Sequence, residues 1–248
     1  MPLVNTDAIV LRSYNLAEAD RIVVCLTRSV GLVRAVARGA RRMKSRFGAA
    51  LEPFTLVRLA FYEKENRELV TISSAEILQS QFEMATQPET AEVLAYISEM
   101  VGEFAPPHEA NERLFRMVLA CVDALHASPK SGTAVLRYFE VWLLRLAGLF
   151  PDARRCAGCG YIIAAEVAVY LDPEGMIRCE SCSSRSGLRL SPQTQRVMVA
   201  IQQLSPVQFV TEFHPMNEAA ENEVAELTHR LVVRALERRP RTMVVSLT

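Results

Sequence analysis

The sequence predicts an α+β, multidomain protein in which a small N-terminal β-barrel is followed by an α-helical domain containing an inserted four-cysteine module. Three observations support this prediction. Short runs rich in β-branched residues occupy residues 3–80, helical periodicity replaces them after Gln79, and two Cys-x-x-Cys pairs lie in the second half. We expect residues 1–80 to form the barrel and residues 81–248 the helical domain, with the insert at residues 152–188.

The composition is that of a folded chain. Half of the 248 residues are hydrophobic, which provides enough apolar surface for one or two domains. No apolar run approaches the roughly 18–20 residues of a membrane helix, and the N-terminal residues lack the features of a secretory signal. We therefore expect a cytoplasmic protein whose thiols are kept reduced.

The charges are unevenly distributed along the chain. The 28 basic and 28 acidic residues give a net charge of zero, which by itself argues against a protein that binds nucleic acid over its whole surface. Residues 1–50, however, hold nine basic and three acidic residues, whereas residues 81–150 hold five basic and nine acidic ones. Such asymmetry suggests a polyanionic partner for the basic N-terminal part.

The first 80 residues read as five short strands. These are DAIVLRSY, RIVVCLTRSV, GLVRAVARGA, FTLVRLAFYE and ELVTISSAEIL. Five strands in a segment of this length suit a barrel of the OB type, which binds oligonucleotides on one face and in its loops. The period of two in the third strand places Arg34 and Arg38 on the same face.

A basic segment continues from this third strand. After Gly39 the chain carries further basic residues in a predicted loop, and arginine side chains donate paired hydrogen bonds to phosphate oxygens. A solvated loop that binds nothing is the alternative, but the position beside a small barrel favours nucleic acid. The predicted nucleic-acid-binding residues are Arg34, Arg38, Arg41, Arg42, Lys44 and Arg46.

Helical periodicity dominates the remainder of the chain. Three apolar-faced helices are predicted between residues 90 and 150, with breaks at Pro106–Pro107 and Ser128–Pro129. Ser191–Pro192 opens a further helix. A last long helix starts near Asn217, with acidic residues at its start and basic residues at its end, as the helix dipole favours. We expect these helices to pack as a bundle.

The two cysteine pairs have the spacing of a metal site. Cys156 and Cys159 form one pair, Cys179 and Cys182 form the other, and 19 residues separate the pairs. Four thiolates predict a closed, tetrahedral, structural zinc site on a ribbon whose hairpin turns at residues 172–175. Two unmetallated thiol pairs are the alternative, and a redox role is disfavoured because neither pair follows a βαβ pattern.

We find no sequence motif for catalysis. A P-loop, a dinucleotide-binding glycine motif and a nucleophile elbow are all absent from the sequence. The four histidines (His108, His126, His214 and His229) lie apart from plausible partners. We therefore assign no catalytic residue and expect a protein that is not an enzyme.

The same segments resemble the RecO family of bacterial DNA repair proteins. The matching motifs are I-V-L-R (9–12), E-A-D-R (18–21), V-A-R-G-A-R-R-M-K-S-R-F-G (36–48), L-E-P-F (51–54) and C-A-G-C-G (156–160) with the second cysteine pair. They occur in the family's order at both ends of the chain, whereas the acidic helices match only weakly.

This resemblance implies a recombination mediator, with an OB-fold, a helical domain and a zinc module. Such proteins bind single- and double-stranded DNA and anneal complementary strands. With RecR and RecF they help to load RecA onto strands coated by single-stranded DNA-binding protein, whose acidic C-terminal tail they bind. The resemblance carries DNA contact to Arg38, Arg41, Lys44 and Arg46, and one zinc ion to the four cysteines.

Two other functions remain compatible with the sequence. The first is a protein-interaction scaffold whose basic loop meets an acidic protein. The second is an RNA-binding factor built on the zinc ribbon.

Overall fold

A computed structural model describes residues 2–63, 69–164, 166–183 and 187–242. The chain forms two compact units, residues 1–122 and 123–248, and the division falls within a helix. The strands of the barrel end at Gln79, close to the predicted domain limit at residue 80, but the first compact unit continues to residue 122. The assignment of residues 1–80 and 81–248 as domains therefore stays a prediction.

The N-terminal part is a closed five-stranded barrel, as the sequence predicts. Its strands are β1 (Leu3–Leu16), β2 (Asp20–Thr27), β3 (Gly31–Ala37), β4 (Leu56–Tyr62) and β5 (Leu69–Gln79). They follow one another around the barrel in the order β1-β2-β3-β5-β4. β1 pairs antiparallel with β2 and β4, whereas β3 and β5 pair in parallel. Closure satisfies the strand edges and gives the OB-like architecture.

Alternate side chains of the strands fill the barrel. The interior cluster includes Val10, Cys25, Val33 and Phe61, each with no exposed surface. A short 3-10 helix at Gly48–Leu51 adds Leu51 to the same cluster. The cluster also includes Phe47, which precedes this helix.

One outer side of the barrel is also buried. Ile9, Val24 and Leu26 alternate with interior residues yet are at most 3% exposed. In the same unit Ser98, on a helix, donates a hydrogen bond to the carbonyl of Leu11 at 3.2 Å, and the His108 amide donates to Leu32 at 3.3 Å. A helix and the turn that follows it therefore cover this side, which limits where the barrel can meet a large ligand.

The predicted helices are present in the predicted order, and two short helices that the sequence did not predict lie among them. The helices are α1 (Phe82–Ala85), α2 (Pro88–Phe104), α3 (Glu112–Ala127), α4 (Gly132–Leu146), α5 (Pro192–Gln203), α6 (Pro206–Phe213) and α7 (Glu218–Leu236). Ser191 caps α5 as expected, since its side chain accepts a hydrogen bond from the Thr194 amide. Within the described ranges, no helix combines the length and apolar character needed to span a membrane.

The second unit is built around α4. Along this helix Arg137 and Glu140 are both almost fully buried, with Nη1 and Oε2 2.9 Å apart. Thr228 on α7 donates a hydrogen bond to the same carboxylate oxygen at 2.7 Å, and Trp142 donates to the carbonyl of Ile201 on α5 at 2.7 Å. These buried polar contacts fix α5 and α7 against α4, because a charged pair in a core is stable only when its partners are in place.

The cysteine module carries a small antiparallel sheet. Its strands are β6 (Val169–Leu171), β7 (Ile177–Arg178) and β8 (Leu188–Leu190), and β6 lies in the centre. The hairpin turn at residues 172–175 between β6 and β7 lies where the sequence predicts it. There Asp172 accepts hydrogen bonds from the Met176 amide at 2.8 Å and from Arg178 Nε at 2.7 Å.

Candidate nucleic-acid interface and metal centre

The six predicted nucleic-acid-binding residues all have exposed side chains, one in the middle of β3 and five in the loop that follows it. Arg34 points outward from β3, between the fully buried Val33 and Ala35. The other five lie in residues 38–46, which we call the basic loop. Arg38, which the sequence predicts on the third strand, lies just beyond the strand's last residue, Ala37, and contact with nucleic acid stays a prediction for all six residues.

Specific hydrogen bonds hold the basic loop against the turn between β1 and β2. The Gly39 amide donates to Asp20 Oδ1 at 2.8 Å, and the Arg41 amide donates to the carbonyl of Ala19 at 3.0 Å. The Arg41 guanidinium itself donates to the carbonyl of Ala17 at 2.9 Å. Gly39 has a φ of +71°, which side chains disfavour. Arg41 therefore supports the loop in addition to its predicted contact role.

The far end of the basic loop is fixed from within the barrel. Phe47 is only 3% exposed and belongs to the interior cluster, while the Arg46 guanidinium lies 4.9 Å from the centre of its ring. The Ser45 amide also donates to the carbonyl of Arg42 at 2.9 Å. A loop fixed at both ends presents its charges with little further loss of entropy on binding.

The charges of the basic loop are not neutralised locally. Among the residues that the structure describes, none of its basic side chains forms an ion pair. Asp20 accepts a hydrogen bond from the loop's Gly39 amide but pairs with none of its basic side chains, and Glu52 pairs with Arg21 at 3.1 Å. The loop is therefore free to neutralise an external polyanion.

Two side chains of the first unit are exposed enough to contact bases, one of them within the basic loop. Met43 lies between Arg42 and Lys44 with its whole side chain in solvent, and Tyr14 near the end of β1 is about half exposed. Phe47 and Phe54 are buried and cannot stack on bases. Sequence reasoning did not single out Met43, although an apolar residue inside a run of charges was the available signal.

The four predicted ligand cysteines lie together. Their Sγ atoms are all within 4.8 Å of one another, and those of Cys159 and Cys179 are 3.8 Å apart. Cys156 is buried, Cys159 is exposed, and Cys179 and Cys182 are half-buried. The arrangement brings four soft sulfur donors to one point and could hold a metal ion.

Backbone geometry positions these sulfurs. The amides of Gly158 and Cys179 both point at Cys156 Sγ, at 3.4 and 3.3 Å. A side chain at Gly158 would crowd the cluster, because a Cβ would lie 2.8 Å from Arg178 Nη1 and 3.3 Å from Cys182 Sγ. The local sequence therefore folds into a compact turn around the sulfur cluster.

Hydrogen bonds within the cluster shift the pKa values of two of its thiols in opposite directions. The hydrogen bond from the Cys179 amide, with others from the same turn, lowers the pKa of Cys156 to about 6. Hydrogen bonding with Cys159, and then with Cys179, raises the pKa of Cys182 to about 12. Several thiols this close cannot all ionise unless a cation compensates their charge.

The other two cysteines are core residues. Cys25 in the barrel and Cys121 on α3 have no exposed surface, and burial raises the pKa of each thiol. They are therefore inert thiols.

Comparison with known proteins gives consistent matches over most of the chain. Residues 1–81 match the family model described as "Recombination protein O N terminal", and residues 86–243 match "Recombination protein O C terminal". A protein of Koribacter versatilis is 37% identical over 158 residues, which are 64% of either chain.

Further relatives match over a greater share of their length. A protein of Anaeromyxobacter sp. (strain K) is 34% identical over 183 residues, covering 74% of this chain and 72% of its own. A protein of Symbiobacterium thermophilum is 34% identical over 195 residues, covering 77% of this chain and 76% of its own. All three relatives carry the name "DNA repair protein RecO".

Proposed function

Because this chain belongs to the RecO family, we propose that it is a non-enzymatic, DNA-binding recombination mediator that acts in DNA repair. In this role it binds single- and double-stranded DNA and anneals complementary strands. It also helps to load RecA onto strands coated by single-stranded DNA-binding protein, together with RecR and RecF. The observation that carries the proposal is the anchored, exposed and unpaired basic loop on an OB-like barrel.

The basic loop acts on the phosphate backbone. Arginine and lysine side chains neutralise phosphates and release the counterions condensed on the strand, which drives binding irrespective of sequence. Neutralised strands repel one another less, so two of them can approach. Base pairing then selects the complement, which requires no reactive side chain of the protein.

We further propose that the four cysteines hold one structural Zn²⁺ ion per chain. Zinc–thiolate bonds of about 2.3 Å in a regular tetrahedron give sulfur–sulfur distances of about 3.8 Å, the separation that Cys159 and Cys179 already have. When bound, the ion cross-links the two cysteine pairs, and four protein ligands leave no position for water. Metal analysis should give about one zinc per chain, and a well-folded protein without metal would contradict the assignment.

The partners follow from the family. We propose that RecR and the acidic C-terminal tail of single-stranded DNA-binding protein bind this chain, with RecF and RecA linked through the same reaction. The place of action is the bacterial cytoplasm, at the nucleoid during repair, because that is where the DNA is.

The decisive experiment measures annealing of complementary strands that are pre-coated with single-stranded DNA-binding protein. We compare the wild type with a loop variant, R38A/R42A/K44A, which spares the anchoring Arg41. A control variant, R113A/R116A/K130A, removes three exposed basic residues outside the barrel and loop. We expect the wild type and the control variant to anneal and the loop variant to fail.

Three results would contradict the proposal. The first is wild-type binding to a single-stranded oligonucleotide that is unchanged between low and moderate salt. The second is a loop variant that keeps its DNA affinity but loses a protein partner, which would favour the scaffold. The third is an RNA oligonucleotide that displaces DNA at far lower concentration than a DNA competitor does, which would favour an RNA-binding factor.

A further inference from the structure

The second unit contains a pocket that none of the predicted sites explains. It has a volume of about 470 Å³ and lies between the hairpin turn of the cysteine module and the C-terminal half of α7. Leu171 and Leu231 are buried residues of its lining, and Arg230, Arg234 and Arg239 also line it. We call it the α7 pocket.

The α7 pocket is cationic even after local pairing is considered. The carboxylate of Asp172, which also lines it, is engaged by Arg178, and Arg230 Nε lies 2.6 Å from Glu226. Arg234 and Arg239 have no carboxylate partner among the described residues. Two guanidinium charges are therefore available to an external anion.

The walls of the α7 pocket are held in place. Arg234 Nη1 donates to the carbonyl of Pro173 at 3.0 Å, which ties α7 to the hairpin turn. A Cβ on Gly175 would lie 3.0 Å from Leu231 Cδ2, so the turn packs closely on the helix. The pocket is therefore formed before any ligand arrives, which lowers the cost of binding.

The arrangement of charge suits a long anion with regularly spaced groups. Arg230 and Arg234 lie one turn apart on the same helix face, where side chains are about 5–6 Å from each other. Arg238, Arg239 and Arg241 extend the basic sequence beyond the helix end. Guanidinium forks match phosphate oxygens, and a row of them matches successive phosphates of a strand better than it matches one small anion.

We propose that the α7 pocket binds the phosphate backbone of a second nucleic-acid strand while the basic loop holds the first. The inference rests on the proposed function, since it assumes that DNA is the partner of the basic loop. Two separate strand sites on one chain bring two strands to the same molecule, as annealing requires.

The test captures a second strand on a protein that already holds one. The chain is bound to an immobilised oligothymidylate, and a fluorescent, non-complementary second strand is then titrated in. The test variant is R234A/R239A, and the matched control is R189A/R196A, two exposed arginines of the same unit outside the pocket. R239E alone is included because it leaves the Arg234–Pro173 hydrogen bond intact.

R234A/R239A should lose two phosphate contacts. Because log K falls with log salt with a slope of about 0.7 per contact, second-strand capture should weaken about 14-fold at 0.15 M salt. First-strand affinity should stay within about twofold, and R239E should weaken capture in the same direction. The control should resemble the wild type.

The outcomes separate this inference from the proposed function. A wild type that binds no first strand would refute the proposed function. A wild type that binds the first strand, with second-strand capture unchanged in R234A/R239A and R239E, would overturn the α7 pocket alone. Unchanged capture combined with lost binding of an oligoglutamate peptide would also overturn it and assign the pocket to an acidic peptide.

Discussion

The loop variant R38A/R42A/K44A gives a quantitative test of how the barrel meets DNA. All three side chains are exposed, and none of them forms an ion pair among the described residues. Arg41 is left in place because its guanidinium and its amide anchor the loop to the turn at Ala17 and Ala19. The variant should therefore remove charge without releasing the loop.

The magnitude follows from counterion release. For a single strand the slope of log K against log salt is about −0.7 for each neutralised phosphate. Three lost contacts make the slope shallower by about 2 and weaken binding about 50-fold at 0.15 M salt, or about 2.3 kcal/mol. The binding curves of wild type and variant should converge towards 1 M salt.

The assay is fluorescence anisotropy of a labelled oligothymidylate at five or more salt concentrations. R113A/R116A/K130A carries the same change in net charge at residues outside the basic loop, so its slope should match that of the wild type. Parallel lines for wild type and loop variant would refute the reasoning, because a loss that is independent of salt is not a loss of phosphate contacts. An equal change in the control variant would assign the effect to net charge.

Three further predictions concern the second unit. G158A should weaken metal retention, because the new Cβ would lie 3.3 Å from Cys182 Sγ, and normal retention in a chelator competition would contradict this. Zinc affinity should rise from pH 6 to pH 8, because zinc binding must displace the proton from Cys182, whose pKa without metal is raised to about 12. Competition with a chromophoric chelator measures the affinity, and an affinity that is constant over this range would contradict the prediction. In urea unfolding, T228V should lower the free energy of unfolding by about 1–3 kcal/mol, because Glu140 loses a buried hydrogen-bond donor. The control variant T211V, on the exposed side of α6, should change the free energy of unfolding by less than about 0.5 kcal/mol.

The barrel could be predicted because its strands carry local signals. Val33, Ala35 and Ala37 alternate with polar or partly exposed residues, so their inward direction follows from the period of two. The parallel pairing of β3 with β5 has no such signal, since it joins Arg34 to Leu69 across a long stretch of chain. The burial of Val24 and Leu26 could not be predicted either, because they face outward from the barrel and the segments that cover them are distant in sequence.

The candidate sites show a similar division. Spacing alone identifies the four cysteines, because the two cysteines of each pair are close in sequence and only one long-range contact, between the two pairs, is needed to form the site. The anchoring role of Arg41 was not predictable, since it depends on the turn at Ala17 reaching the loop. The α7 pocket was missed for a related reason. The helix dipole already accounts for the basic end of α7, and the second wall of the pocket is a hairpin about 60 residues earlier in the sequence.

A net charge of zero is compatible with the proposed DNA-binding role because electrostatics act locally in salt. At 0.15 M ionic strength the Debye length is about 8 Å, so a phosphate at the basic loop interacts mainly with the charges of that loop. The nine acidic residues of residues 81–150 balance the total without neutralising the basic side chains of the basic loop, which form no ion pairs within the described structure. They also lower the general attraction of the protein for polyanions, so strand contact depends on the few places where basic groups are concentrated. Affinity should therefore follow the charge of the basic loop and the α7 pocket, and not the net charge of the chain.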